Sequence, residues 1–250
     1  MSGEMYTYSE YHGYKRADFK FDGKDATIVF PNTPEAQGRW MLKMEYFDAF
    51  PALELELVRR GWHLCYLEND NRWGTDSDAD RKAKFVDYMA ENFGLERKFT
   101  AVGMSCGGLC SIYFAARYPE LVSAMFLDAP VLNFLSCPMG FGIGDRYGGE
   151  EVWQEFTSAH PVTLSELLTY RNHPLDKIPD VMKSRIPLAM YYGDQDTIVP
   201  YEENGILLEK EYRKTDIPFL CVCRAGDGHH PHGPADPTEL ADFIEKYTKT

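Results

Sequence analysis

No stretch of this chain approaches the ~20 consecutive apolar residues of a membrane-spanning helix. The leading MSGEMYTYSEYHGYKR likewise lacks the apolar core of a secretory signal. Both absences predict a cytoplasmic protein with no membrane partner. Basic residues are scarce: 26 Lys and Arg stand against 39 Asp and Glu, a formal net charge of −13. A nucleic-acid partner requires a basic face that displaces phosphate counterions, so that class is excluded. Six cysteines occur without a CxxC pair, which argues against a zinc or redox site. Cys65, Cys221 and Cys223 fall in strand-like apolar runs, where cysteine packs as a small hydrophobe. Repeats, low-complexity tracts and linkers are also missing. What remains is 250 residues, 44% of them apolar, which suits a single α/β domain over 1–250.

Apolar patterning supports that class. Strands are expected within 14–31, and at 62–67, 99–104, 122–127, 187–192 and 218–224. Helices are expected over 78–93, after Gly108, over 201–213 and over 237–248. Trp40 to Arg60 reads as an apolar-periodic helical stretch with a break or restart at Pro51. Strands alternating with helices predict a mostly parallel central sheet with helices on both faces. The irregular segment 131–185 reads as a cap-like insertion over the sheet's C-terminal edge, where open α/β sheets bind ligands.

Gly103-Met104-Ser105-Cys106-Gly107 matches G-x-S-x-G. Chance alone produces that pattern in about one chain of ten at this length, so its setting decides its weight. A strand runs straight into it and a helix follows, with Leu109, Ile112, Tyr113 and Ala116 on one face. That is the setting of a nucleophile elbow, in which flanking glycines let strand and helix approach closely. The N–H of Cys106 would then be one oxyanion donor, the residue serving through its backbone.

A serine hydroxyl needs a base, and the base needs an acid behind it, each after a later strand in the order Ser, Asp, His. After one strand comes Gly193-Asp194-Gln195-Asp196-Thr197-Ile198-Val199-Pro200. After the next comes Gly226-Asp227-Gly228-His229-His230-Pro231-His232-Gly233. Asp194 and Asp128 are rival acids, Asp194 more naturally capping its turn. His230, His232, His63, His160 and His173 read as structural, those of the cluster bonded to loop carbonyls. The histidine cluster raises a metal, but no matching ligand group stands elsewhere, so none is expected. Arg39, Arg72, Trp73 and Trp153 are candidates for a substrate pocket, with a satellite core as the competing reading for the aromatics.

The elbow, the Gly-Asp-x-Asp-x-x-Val-Pro run and the Gly-x-Gly-His run are together similar to bacterial α/β-hydrolase esterases. Gly38-Arg39-Trp40, Gly61-Trp62-His63, Asp128-Ala129-Pro130-Val131 and His229-His230-Pro231-His232 extend the likeness. They resemble a group of α/β hydrolases found largely in bacteria with plant-polysaccharide diets. The resemblance spans roughly residues 26 to 247 and makes Ser105 the nucleophile, Asp196 the acid and His229 the base. It implies hydrolysis of short acyl (acetyl-type) or feruloyl esters of plant carbohydrates without a cofactor, and leaves a homo-oligomer open. The His-Gly motif usual after the third strand is absent. Counting back one helix length from Gly61 assigns the second oxyanion N–H to Trp40 or Arg39. The competing functions are a peptidase or amidase with the same triad, and a non-catalytic binder on a hydrolase scaffold.

Overall fold

In the computed structural model, which describes residues 5–248, nine strands form one sheet in the order β1-β2-β3-β5-β4-β6-β7-β8-β9. Residues 1–4, part of the leader read above, and 249–250 lie outside the described residues. β1 (Thr7–Tyr11), β2 (Tyr14–Phe21) and β3 (Lys24–Phe30) form an antiparallel meander, and β3 pairs antiparallel with β5 (His63–Leu67). From β5 onward every pair is parallel: β4 (Trp40–Lys43), β6 (Phe99–Met104), β7 (Val122–Asp128), β8 (Leu188–Gly193) and β9 (Phe219–Arg224). The expected mostly parallel sheet is therefore present.

Side-chain alternation along the strands builds two cores. Met41, Leu64, Val102 and Phe126 face one side, under α1 (Ala52–Arg59) and α8 (Thr238–Thr248). Leu42, Cys65, Ala101 and Met125 face the other, under α2 (Asp76–Phe93) and α3 (Cys106–Arg117). Segment 131–185 carries α4 (Glu150–Ala159), α5 (Leu164–Leu167) and α6 (Ile178–Ser184), and α7 (Gly205–Tyr212) follows β8. None of the helices among the described residues is long and apolar enough to cross a membrane.

One expected element is wrong, and it matters for the site. Trp40–Lys43 is a strand, not the start of a helix, and the helix begins only at Ala52, after Pro51. A four-residue strand buried on both faces shows an unbroken apolar run, which periodicity cannot tell from a buried helical turn. Proline fits the helix entry because an N–H there has no intrahelical partner.

Lys43, at the end of this strand, is fully buried and pairs with Glu54 of α1. Its ammonium also donates to the Ala49 carbonyl at 2.9 Å. The pair therefore fastens the loop 44–51 to the sheet edge. Asn69 donates to the Met44 carbonyl at 2.8 Å and is itself held by buried Lys82.

Three buried histidines make the fold sensitive to acid. Burial lowers the pKa of His63 from 6.5 to about 4, and lowers those of His160 and His173 as well. The unfolded chain takes up these protons near pH 6.5 and the folded chain does not. Their stabilisation is complete above that pH and is lost as pH falls toward 4, about 2–3 kcal/mol for His63 alone. Denaturant midpoints at pH 7.5 and pH 4.5 measure the slope, which His63→Leu should flatten. An unchanged slope in the variant would exclude His63 as a source.

Candidate active site

The strand order reverses between β4 and β6, since β5 lies beyond the first and β7 beyond the second. Crevices at the C-terminal ends of strands form at such a reversal. Ser105 leaves β6 there with φ 51° and ψ −117°, outside the ordinary left-handed well. Neighbouring backbone holds this strained turn. The Ser105 N–H donates to the Asp128 carbonyl at 2.9 Å, and the Ser105 carbonyl accepts from Gly108 at 3.0 Å and Val131 at 3.1 Å. A methyl group on Gly108 would stand 2.5 Å from Pro130 Cβ, so this glycine allows α3 to pass the loop after β7.

Ser105, Asp196 and His229, 33 to 124 residues apart in sequence, converge here. Ser105 Oγ lies 3.1 Å from His229 Nε2, and His229 Nδ1 lies 2.7 Å from Asp196 Oδ2. The other Asp196 oxygen accepts the N–H groups of Ile198 (2.9 Å) and Val199 (2.8 Å). Burial would raise this carboxyl's pKa. The His229 bond and charge, with the two N–H groups, outweigh it and hold the pKa below the usual carboxylate value. Asp196 is thereby kept ionised and pinned at both oxygens. The loop carrying His229 packs on the end of β8, where a methyl on Gly193 would stand 2.8 Å from the Asp227 carbonyl carbon and closer to its oxygen.

The rival acids are occupied elsewhere. Asp194 Oδ1 accepts from Gly226 N at 2.7 Å, tying the acid loop to the histidine loop. Asp128 is fully buried, pairs with Arg224 at 2.7 Å and accepts from Gly233 N. His232 Nδ1 faces Asp128 Oδ1 at 3.5 Å. His230 is exposed and stacks on Phe50, with centroids 5.6 Å apart. Neither ring is bonded to a loop carbonyl as expected, because a buried carboxylate and an aromatic face occupy those positions instead. Together with His229 these two bring a ring nitrogen each within 4.8 Å of one another, and among the described residues no ligand from another segment joins them.

The assignment of Trp40 or Arg39 as oxyanion donor is also overturned. Both lie at the N-terminal end of β4, with Arg39 O accepting from His63 N at 3.1 Å, away from the elbow at the C-terminal ends. Trp40 is buried and its indole donates to Glu96 O at 2.7 Å. Arg39 stacks over Trp62 at 4.8 Å and pairs with Glu35. What meets the elbow is the turn after β4, where Glu45 N would lie 3.4 Å from a methyl on Gly107. Tyr46, with φ 56°, contacts the Cys106 thiol through its hydroxyl. Sequence reading missed Tyr46 because it placed this segment inside a helix; the available signal was Pro51, which marks where that helix starts.

A cavity of about 420 Å³ opens at Ser105 and is lined by Tyr46, Phe50, Arg72, Tyr147 and Ile198 among others. Arg72 is the cation of this lining. It pairs with Glu155 of α4 at 2.7 Å and leaves a buried Nε without a hydrogen-bond partner. Trp73 is not in the pocket: it is fully buried against Phe156 and Phe134. Trp153 stacks on Phe156 and borders a separate surface depression. For both tryptophans the satellite core wins, because α4 needs an apolar face to seat on. Burial pushes the Cys106 thiol up to about 12, leaving it protonated at neutral pH.

A family model described as the alpha/beta hydrolase fold matches residues 65–147. Among solved structures, a putative dipeptidyl aminopeptidase IV from Bacteroides ovatus aligns with a TM-score of 0.64 at 13% identity, covering 99% of this chain and 36% of that one. A puromycin hydrolase aligns with a TM-score of 0.67 at 16% identity, covering 98% and 38%. A protein from Thermus thermophilus gives a TM-score of 0.65 at 14% identity, covering 98% and 99%. The chain thus spans little more than a third of the first two and nearly all of the third. No curated protein matches it in sequence.

Proposed function

We propose that this chain, which has the α/β-hydrolase fold, is a serine hydrolase that cleaves carboxylic esters through an acyl-enzyme on Ser105. The observation that carries this reading is the unbroken hydrogen-bonded line from Ser105 to His229 to Asp196 at the mouth of a cavity. His229 Nε2 accepts the Ser105 proton as Oγ attacks the ester carbonyl. Asp196 holds the imidazole in the tautomer with its proton on Nδ1 and stabilises the imidazolium that forms. The oxyanion is met by the Cys106 N–H at the start of α3 and by the Tyr46 hydroxyl, which turns to it from the Cys106 thiol. His229 then protonates the departing alcohol and activates the water that frees the acyl group. A pure binder would have no use for all three aligned groups, and no step needs a cofactor.

Two of the structural neighbours bear names that favour a peptidase or amidase with the same triad. The cavity lining weighs against an aminopeptidase. It includes no Asp or Glu to receive a free α-amine, and its charged side chain is Arg72. Tyr46, Phe50 and Tyr147 suit a small acyl group on a sugar, or a feruloyl ring, which is the class the family resemblance implies. Cytoplasmic residence belongs to the same proposal, supported by six cysteines that are all free. Turnover of p-nitrophenyl acetate against aminoacyl p-nitroanilides separates the readings. An ester preference of about 10³ or more in kcat/KM is expected, and preference for the anilides would overturn it. A screen of acetylated and feruloylated oligosaccharides then identifies the acyl group.

A further inference from the structure

The triad requires one imidazole backed by one carboxylate, yet the loop after β9 carries two imidazoles so backed, by Asp196 and Asp128, and a third histidine beside them. The ring centroids of His229, His230 and His232 are 4.9 Å apart in all three pairings, with planes inclined at 64°, 82° and 84°. A nitrogen from each ring lies within 4.8 Å of the others. Three imidazoles on one tetrahedral zinc ion, with Zn–N of about 2.05 Å, place their centroids about 5 Å apart. The spacing of the ring centres therefore matches, and the nitrogens close from within 4.8 Å to about 3.3 Å when they share an ion.

Buried carboxylates orient two of the three rings. His229 Nδ1 faces buried Asp196 at 2.7 Å, and His232 Nδ1 faces buried Asp128 at 3.5 Å. A carboxylate on Nδ1 keeps the proton there and leaves the Nε2 lone pair for a metal, the arrangement that orients histidine ligands. His230 is exposed, stacks on Phe50 and has no carboxylate on either ring nitrogen, so it can turn to complete the set. Three neutral nitrogens suit zinc and its neighbours, and not magnesium or calcium, which take oxygen.

We propose that His229, His230 and His232 form a binding site for a divalent cation of the zinc class that reversibly switches the enzyme off. The cation takes the Nε2 lone pair that otherwise accepts the Ser105 proton, and its fourth position is left to water or Ser105 Oγ. The inhibitory consequence rests on His229 being the base; the binding itself does not.

Calorimetric titration of the chelator-stripped full chain with zinc chloride tests the site without reference to turnover. One equivalent should bind with a Kd in the micromolar range or tighter. His230→Gln and His232→Gln should each weaken it at least tenfold, and cobalt chloride should give the visible d–d absorption of a four-coordinate ion. Turnover of p-nitrophenyl acetate should fall with the same midpoint and return on adding EDTA. Unchanged zinc affinity in both variants would overturn the site, and full turnover at saturating zinc would overturn the switch. If esters were not turned over even without metal, the hydrolase reading would fail while the cobalt spectrum still reported the site.

Discussion

Ser105→Ala should lower kcat for p-nitrophenyl acetate by about 10⁴–10⁶ and leave the thermal midpoint close to that of the wild type. The size follows from what the side chain does. Without Oγ there is no acyl-enzyme, and residual rate comes only from the Cys106 and Tyr46 donors acting on attack by water. His229→Ala should cost nearly as much, because nucleophile and base act as one unit and their losses do not add. Asp196→Asn should lose about 10⁴, since an amide in place of the carboxylate admits the wrong imidazole tautomer. Tyr46→Phe should lose about 10², the usual cost of one oxyanion donor, with KM little changed. Steady-state kinetics on the four variants, with circular dichroism to confirm folding, checks the series. A Ser105→Ala enzyme within tenfold of wild type would remove the nucleophile from the account.

Gly103→Ala should destabilise the fold by about 4 kcal/mol or more and cut turnover with it. A methyl at Gly103 would stand 2.5 Å from Ser111 Oγ and from the Gly107 carbonyl carbon, and closer still to the Gly107 oxygen. These atoms belong to helix backbone or to a side chain bonded to it, as Ser111 Oγ donates to the Gly107 carbonyl at 2.8 Å. Nothing nearby can yield without moving α3 away from β6. That movement shifts Ser105 relative to His229, and catalysis tolerates little misplacement. Gly149→Ala is the control, because its backbone φ of −111° is ordinary and a methyl there meets nothing within 4 Å. It should cost less than about 1 kcal/mol. Urea midpoints of the two variants against wild type decide the matter, and similar small losses in both would contradict the account of the elbow.

The elbow was legible because its information is local: a strand, a small-residue turn and an amphipathic helix are contiguous over 99–117. Asp196 and His229 were legible for a related reason, each standing in a polar loop directly after a recognisable strand. Tyr46 was not. The strand before it is four residues long and buried on both faces, so nothing in its pattern distinguishes it from a helical turn. β1 escaped notice for the opposite reason, as an edge strand with four of five residues exposed and no apolar alternation. Trp73 and Trp153 illustrate a different limit. An aromatic residue in an irregular segment serves a pocket and a satellite core equally well on composition, and only the seating of α4 separates the two. The Asp128–His232 pairing spans more than a hundred residues and depends on how the loops after β7 and β9 meet, a long-range contact with no local signature.

Whether Ser105 is a nucleophile activated by His229 is decided by treating the folded wild-type chain with a fluorophosphonate probe, followed by peptide mass spectrometry. A single adduct is expected on the peptide containing Ser105, greatly slowed in His229→Ala. Absence of labelling in folded wild type, or an adduct on another residue with Ser105 unmodified, would contradict it.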